Sequence, residues 1–265
     1  MRTPRHIDFN PPGWGEFDAP PVEWPSYAEQ VLEWQPLAYW RLGDAAGSVA
    51  YEEVAGLDGS YVDGVTPVSP GAIFRDPDPA AVFDGEQSAV SVPSTTLLNN
   101  STACSFVFWL NYQAASVESD GAVISREAGP DQGWGVWVDR EGFLSGRPRT
   151  LTLSVGFGTA FQIEGNADLV TPGVWDFYAA TFAGLGAMCL YKNGRLDRSQ
   201  PAAEFQMPAS TEPVWIGAQR HTTRFLPAML DELAVFDRAL SAEQIALLYE
   251  LGRGSPVPPV IGGAS

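Results

Sequence analysis

Carboxylates, two histidines and two cysteines are the side chains of this sequence best suited to chemistry, and their spacing decides what each could do. A retaining glycosidase needs two carboxyl groups about 5–5.5 Å apart. On a strand that means acids two or four residues apart, on one face. Glu118-Ser119-Asp120 has the spacing but lies in a Gly/Ser/Asp loop with no third acid. Asp231-Glu232 are adjacent, and on a regular strand they point to opposite faces. His6 lies near the start and His221 in the polar stretch Gln219-Arg220-His221-Thr222-Thr223-Arg224. No serine occupies a nucleophile elbow, and no thiol is paired with a histidine. Gly184-Leu185-Gly186 lacks the partners of a phosphate-cradling loop. The chain therefore reads as a non-enzyme, and binding is the chemistry left. Arg220, His221 and Arg224 form the most basic cluster of an acidic chain, a candidate ligand-binding rim loop or a contact for an acidic neighbouring subunit. Gly133-Trp134-Gly135-Val136-Trp137 is a second candidate, with inter-sheet packing as the alternative use of its tryptophans.

Strands must position these groups. From Leu230 to Phe236 the chain is apolar on both faces apart from the acidic pair, the pattern of a buried strand in a two-sheet protein. Ser241 then stands at an N-cap, Gln244 closes a capping box, and Leu240 and Ile245 form the hydrophobic staple. Ile245, Leu248 and Tyr249 share one helical face, and Gly252 is the expected stop. Phe106 to Leu110, apolar on both faces, predicts a central strand. Trp134, Val136 and Val138 alternate with Gly135 and Trp137, and Asp139-Arg140-Glu141-Gly142 then turns the chain. Leu151, Leu153 and Val155 alternate with Thr150, Thr152 and Ser154, which predicts a half-exposed strand. Asn193-Gly194 between apolar runs predicts a type I′ hairpin.

Residues 1 to 36 read differently. Prolines and tryptophans recur where neither helix nor central strand could run, except that Ser26 and Glu29 outline a short capped helix to Glu33. Phe9, Trp14, Phe17, Trp24 and Trp34 would need a surface to bury against, either the domain itself or a neighbouring subunit. The expected division is an extended Pro/Trp-rich docking arm over 1–36, a sandwich over 37–252 and a Pro/Gly-rich tail over 253–265.

Among 265 residues, 32 acidic side chains face 15 basic ones, a formal net charge of −17. Such a field repels nucleic acid, whose binding rests on neutralised phosphates. Its solubility effect is the bland reading, a divalent cation the sharper one. No run approaches the length of a transmembrane helix, so membrane insertion is not expected. The N-terminal residues show no apolar stretch that would act as a secretion signal. Cys104 and Cys189 both fall in predicted strands. Their number allows one bridge, and reduced, buried thiols are the preferred reading.

The order of several short motifs resembles the laminin G-like domains of the concanavalin A-like jelly-roll superfamily. Tyr39-Trp40-Arg41-Leu42-Gly43-Asp44 is similar to the opening strand. Phe83-Asp84-Gly85 with Val90-Ser91-Val92-Pro93 is similar to the second landmark. Phe106–Leu110, Trp175–Phe182, Leu190–Gly194, Val214–Gly217 and the segment from Ala228 to Ile245 follow in the family's order, so the likeness covers about residues 37 to 252. It implies an all-β concanavalin A-like jelly-roll β-sandwich with one short C-terminal helix, here preceded by the extended arm. It also implies a structural Ca²⁺ at the rim, with Asp44 and Asp231 as the corresponding ligands. At the position where the family often has Asp, this chain has Glu52-Glu53.

Small virion proteins of tailed bacteriophages resemble this combination of a sandwich without a signal and an aromatic arm. The expectation is a minor tail or tail-tip protein, assembled in the host cytoplasm and located in the virion. Its arm would dock on other virion proteins or on copies of itself, and its rim would contact cell-surface glycan. The alternative is a free carbohydrate-binding module.

Overall fold

Alternating and doubly apolar runs become strands here, and the two capped segments become helices. The structure, a computed structural model, describes residues 24–93, 95–113, 120–129, 132–139, 149–156, 161–207 and 209–255. Phe9, Trp14, Phe17, Glu118, Ser119, most of the turn expected at 139–142 and the tail from 256 lie outside them.

The elements are α1 (Tyr27–Glu33), β1 (Ala38–Trp40), β2 (Val49–Ala50), β3 (Gly59–Val62), β4 (Thr66–Val68), β5 (Ala80–Asp84), β6 (Ala89–Val92), β7 (Ala103–Tyr112) and β8 (Gly121–Gly129). They continue as β9 (Gln132–Asp139), β10 (Thr150–Ser154), β11 (Gln162–Glu164), β12 (Asp176–Ala183), β13 (Ala187–Lys192), β14 (Arg195–Pro201), β15 (Val214–Ile216), β16 (Pro227–Phe236) and α2 (Ala242–Gly252). Among the described residues the strands form two antiparallel sheets of eight. Sheet A runs β14-β13-β12-β7-β16-β5-β4, with β1 also paired to β16; sheet B runs β11-β10-β9-β8-β15-β6-β3-β2. This is the expected sandwich with its C-terminal helix, and α1 is the helix outlined by Ser26 and Glu29.

The core lies between the sheets. Phe106, Phe108 and Leu110 of β7 and Tyr178 and Phe182 of β12 meet Trp134, Val136 and Val138 of β9 and Leu151 and Leu153 of β10. Phe106 and Trp134 have ring centroids 5.5 Å apart. The intervening residues of sheet A are also apolar: Val107, Trp109, Phe177, Ala179 and Phe236 lie under Tyr27 and Val31 of α1 and Ile245 and Leu248 of α2. With both faces covered, β7 has no polar side to show over Phe106–Leu110, which is why that run reads as apolar on both faces. It sits between β12 and β16, the central place expected of it.

Both capping boxes are complete. Ser26 accepts from Glu29 N–H while Glu29 accepts from Ser26 N–H, and Ser241 and Gln244 do the same. The end of α2 departs from expectation. Gly252 lies inside the helix, where a Cβ would stand 2.4 Å from the Trp109 ring. The stop is Gly254, at φ 71°, with Gly254 N–H bonded to Leu251 O and Ser255 N–H to Glu250 O. That pair of bonds is a Schellman motif. The Asn193-Gly194 turn has φ of 50° and 74°, the two left-handed residues that type I′ requires.

The cysteines are both free. Cys104 belongs to the inter-sheet core, where burial raises its thiol pKa. Cys189 is half-buried on the helix-covered side of sheet A and donates to Ser199 Oγ at 3.4 Å. Opposite faces of one sheet explain why they do not pair.

Candidate functional site

The other outer face, that of sheet B, is built of different residues. Strand register aligns Ser60, Ser91, Trp215, Ser125, Gly135, Ser154 and Gln162 in one row across β3, β6, β15, β8, β9, β10 and β11. Their chain neighbours, among them Val90, Val214, Ile216, Ile124, Val136, Leu153 and Ile163, point into the core. Period-2 alternation therefore turns every member of the row outward. Gly135 is needed because the Trp137 indole lies across it: a Cβ there would stand 2.7 Å from the ring.

Thr150, Thr152 and Ser154 share this face but are buried, not half-exposed as the alternation predicts. Trp137 Nε1, Thr150 Oγ1 and Gln162 Oε1 are buried without hydrogen-bond partners. A buried polar atom left unpaired costs about 1–3 kcal/mol.

Trp215 is the half-buried aromatic of the row. The His221 ring lies parallel to it, with centroids 5.0 Å apart and 9° between planes, and Phe225 meets His221 edge-on at 5.6 Å. The loop that returns His221 over its own strand is sharply bent, with Arg220, His221 and Arg224 all at φ near 50°. Ion pairs and hydrogen bonds hold it. Arg220 Nε lies 2.5 Å from Glu127, His221 Nε2 lies 2.9 Å from Gln87 O and 3.2 Å from Asp63, and Arg224 lies 3.7 Å from Asp120. The three predicted rim residues thus come together, each beside an acid of its own chain. Trp215 and Phe225, which sequence reasoning did not single out, supply the surface. Trp215 sits between two core residues of a three-residue strand, too short a run for alternation to reveal its side.

Of the arm residues that are described, Trp34 packs against the helix-covered cluster, and Trp24 is 38% exposed.

The pair Asp44 and Asp231 was expected to hold calcium. Asp44 accepts from Tyr51 N–H at 2.7 Å and Tyr61 O–H at 2.5 Å. Asp231 is buried and accepts at Oδ2 from Ala72 N–H at 2.7 Å. Burial pushes its carboxyl up to about 8, with Asp78 and Asp76 adding to the rise against the Ala72 N–H and Arg41. β1 and β5 share one edge of β16 end to end, and the acidic pair falls in the gap between them. There the register slips and Glu232 turns to φ 56°, so the two acids do not alternate as expected of a regular strand. Arg41 fills the gap, its Nη2 2.9 Å from Glu232, 2.9 Å from Asp76 and 3.3 Å from Asp78; Tyr39 O–H also donates to Glu232.

Among the described residues no three Asp, Glu, His or Cys are grouped as metal ligands. Calcium takes six to eight oxygens. Two oxygens without a hydrogen-bond donor, Asp231 Oδ1 and Asp78 Oδ2, fall far short of that, and a guanidinium already stands among the carboxylates. The residues present do not fit the ion.

Sheet B carries Glu127 and Glu164, on β8 and β11. Their strands lie three spacings, about 14 Å, apart, and the register offsets the two acids further along the strands, well beyond the roughly 5–9.5 Å that glycosidase carboxylates use.

Two antiparallel sheets, one roofed by helices and the other presenting polar residues around an aromatic pair, define a lectin-type β-sandwich. The sequence profile of the Concanavalin A-like lectin/glucanases superfamily matches residues 84–246, and the chain belongs to that family. No curated protein matches the sequence. Among solved structures, domain 4 of AbnA, a GH43 extracellular arabinanase from Geobacillus stearothermophilus in complex with arabinotriose, is similar at a TM-score of 0.61 and 16% identity, over 81% of this chain and 98% of that one. The ligand binding domain of botulinum neurotoxin serotype D, in complex with N-acetylneuraminic acid, gives 0.57 and 15%, over 83% of this chain and 52% of that one. The binding domain of Paraclostridial Mosquitocidal Protein 1 gives 0.55 and 14%, over 74% and 47%. The chain spans about half the length of these toxin domains. At such identities the likeness is one of fold.

Proposed function

We propose that this chain binds carbohydrate without turning it over, and that the outer face of sheet B at Trp215 and His221 is where it does so. The observation that carries the reading is the stacked Trp215–His221 pair, edged by Phe225, on a face that also carries serines, threonines, Gln162 and the buried Trp137. A sugar offers C–H faces that pack on an aromatic ring and hydroxyls that bond to neutral polar groups, the combination small-ligand sites use. The arabinotriose and N-acetylneuraminic acid complexes of similarly folded proteins support the ligand class. The separation of Glu127 from Glu164 supports binding without hydrolysis. A glycan array probed with wild-type and Trp215→Ala protein tests the reading. Signals on one or more glycans that fall at least tenfold in the variant are expected, and a blank wild-type array overturns it.

The narrower form of the proposal places this domain on a bacteriophage tail, where it meets cell-surface glycan. The packing of α1 and Trp34 on the back of sheet A, away from the proposed binding face, supports a docked position for that side. Mass spectrometry of purified particles tests it. Stoichiometric presence is expected, and deletion of residues 1–23 should abolish incorporation. Absence from particles leaves the free-module form.

A further inference from the structure

A concavity of about 570 Å³ opens at the end of the sandwich where β1 begins and β16 ends. Its size falls in the range of about 300–1,000 Å³ typical of small-molecule sites. Leu37, Leu57, Leu97 and Leu98, buried or half-buried, supply apolar surface, and exposed Thr96, Asn100, Thr102 and Asp237 supply polar groups.

Two buried charges shape the loops around it. The Glu52 carboxylate accepts hydrogen bonds from the N–H groups of Tyr39, Val54, Ala55 and Leu57 at 2.7, 3.0, 2.5 and 3.2 Å. It gathers the 54–57 loop around one anion. Arg126, 2% exposed, donates to Leu97 O at 2.6 Å, Thr95 O at 2.8 Å and Asn99 Oδ1 at 2.9 Å, and also to Ser210 O. It gathers the facing loop around one cation. Within that loop Leu98 and Asn100 are held at φ 59° and 57°. A leucine enters the left-handed region only where its surroundings impose it. A packed core needs no such construction. Walls fixed in advance by buried polar networks are how a binding site is pre-organised.

The chemistry of the opening selects the ligand. The side chains of Thr96, Asn100 and Thr102 make no hydrogen bond within the described chain and are free to bond outward. Among the described residues no Lys, Arg or His lines the cavity, whereas Asp237 does, on a chain of net charge −17. An anion is repelled there. A neutral polyhydroxylated ligand can set its C–H groups on the leucines and its hydroxyls on the threonines and asparagine. We infer that this end cavity is a second saccharide site, specific for an uncharged sugar unit and separate from Trp215. The inference rests on the carbohydrate-binding reading and adds to it a place and a charge.

An NMR titration of ¹⁵N-labelled protein tests it, with arabinotriose, glucose, galactose and N-acetylglucosamine as neutral probes and N-acetylneuraminic acid as the anionic one. At least one neutral sugar should shift the Asn100 side-chain amide and the backbone amides of 95–100, in wild type and Trp215→Ala alike. The double variant Thr96→Val/Asn100→Ala, with an unchanged melting temperature, should lose at least tenfold in affinity at those resonances only. If neutral sugars move only resonances around Trp215 and His221, the end-cavity site is overturned while carbohydrate binding stands. If N-acetylneuraminic acid occupies the cavity in preference, the charge assignment is overturned. If no sugar moves any resonance, both readings fall.

Discussion

The two outer faces of this sandwich have been put to opposite uses. On sheet A, Val107, Trp109, Phe177, Ala179 and Phe236 lie beneath two helices, and the face is a second core. On sheet B the equivalent positions are serines, a glycine and a glutamine, interrupted by Trp215 and its stacked histidine. The inner faces of both sheets obey the same rule, so the outer faces carry the information that differs. A face that is apolar must be covered, and its cover removes it from contact with a partner. On a face of small polar residues, isolated aromatics are conspicuous.

Substitutions can break this contrast, beginning with the most damaging. Trp109→Ala empties a buried indole site under both helices and should cost about 3–5 kcal/mol in urea unfolding. A cost under about 1 kcal/mol would mean that the helices do not form a real second core. Arg41→Met strips the cation from buried Glu232. Because Arg41 is itself 26% exposed, the expected loss lies between the surface and buried limits, at about 2–3 kcal/mol. Added calcium should not raise the melting temperature of wild-type protein, and a clear rise would show that the guanidinium does not fill the cation's role. Gly252→Ala pushes a methyl group against the Trp109 ring and should cost about 1–3 kcal/mol, readable as a lowered melting temperature.

The effects then become smaller and more informative about function. Trp215→Ala on sheet B should cost no more than about 1 kcal/mol of stability while removing glycan binding, the reverse of Trp109→Ala. Equal losses of stability from the two tryptophans would erase the distinction between the faces. The last prediction concerns the turn that carries the chain from β5 of sheet A to β6 of sheet B. Burial opposes ionisation of Asp84, but the N–H groups of Gln87, Ser88 and Glu86 and the Ser88 hydroxyl outweigh it and hold the carboxyl at about 2. A depressed pKa contributes stability that is present above the unfolded value and lost as pH falls towards the folded one. The melting temperature should therefore drop between pH 4 and pH 2, and Asp84→Asn should flatten that drop. An identical acid profile in the variant would exclude this contribution.

Much of the fold could be read locally. Ser26 with Glu29, Ser241 with Gln244, and Asn193 with Gly194 act within four residues, and each did in the structure what its spacing announced. The loop Arg220–Arg224 was recognisable as polar and basic, but its role as the lid that lays His221 on Trp215 depends on a chain reversal that no local pattern encodes. Gly252 was misread because a helical glycine near a terminus usually marks the stop. Here the reason for glycine is an indole from a strand more than a hundred residues earlier.

The amino-acid sequence by itself determined the strand periodicities, the two caps and the hairpin, because each depends on neighbours along the chain. Tertiary structure alone decided the rest. It placed Asp231 and Glu232 in a gap between β1 and β5, with Glu232 on Arg41 and Asp231 on the Ala72 N–H. It also set Arg126 among carbonyls contributed by residues 95–99 and 210, and it roofed the outer face of sheet A with the two helices. These outcomes depend on which distant segments meet and on how burial strengthens each polar contact made there, and spacing along the chain records neither.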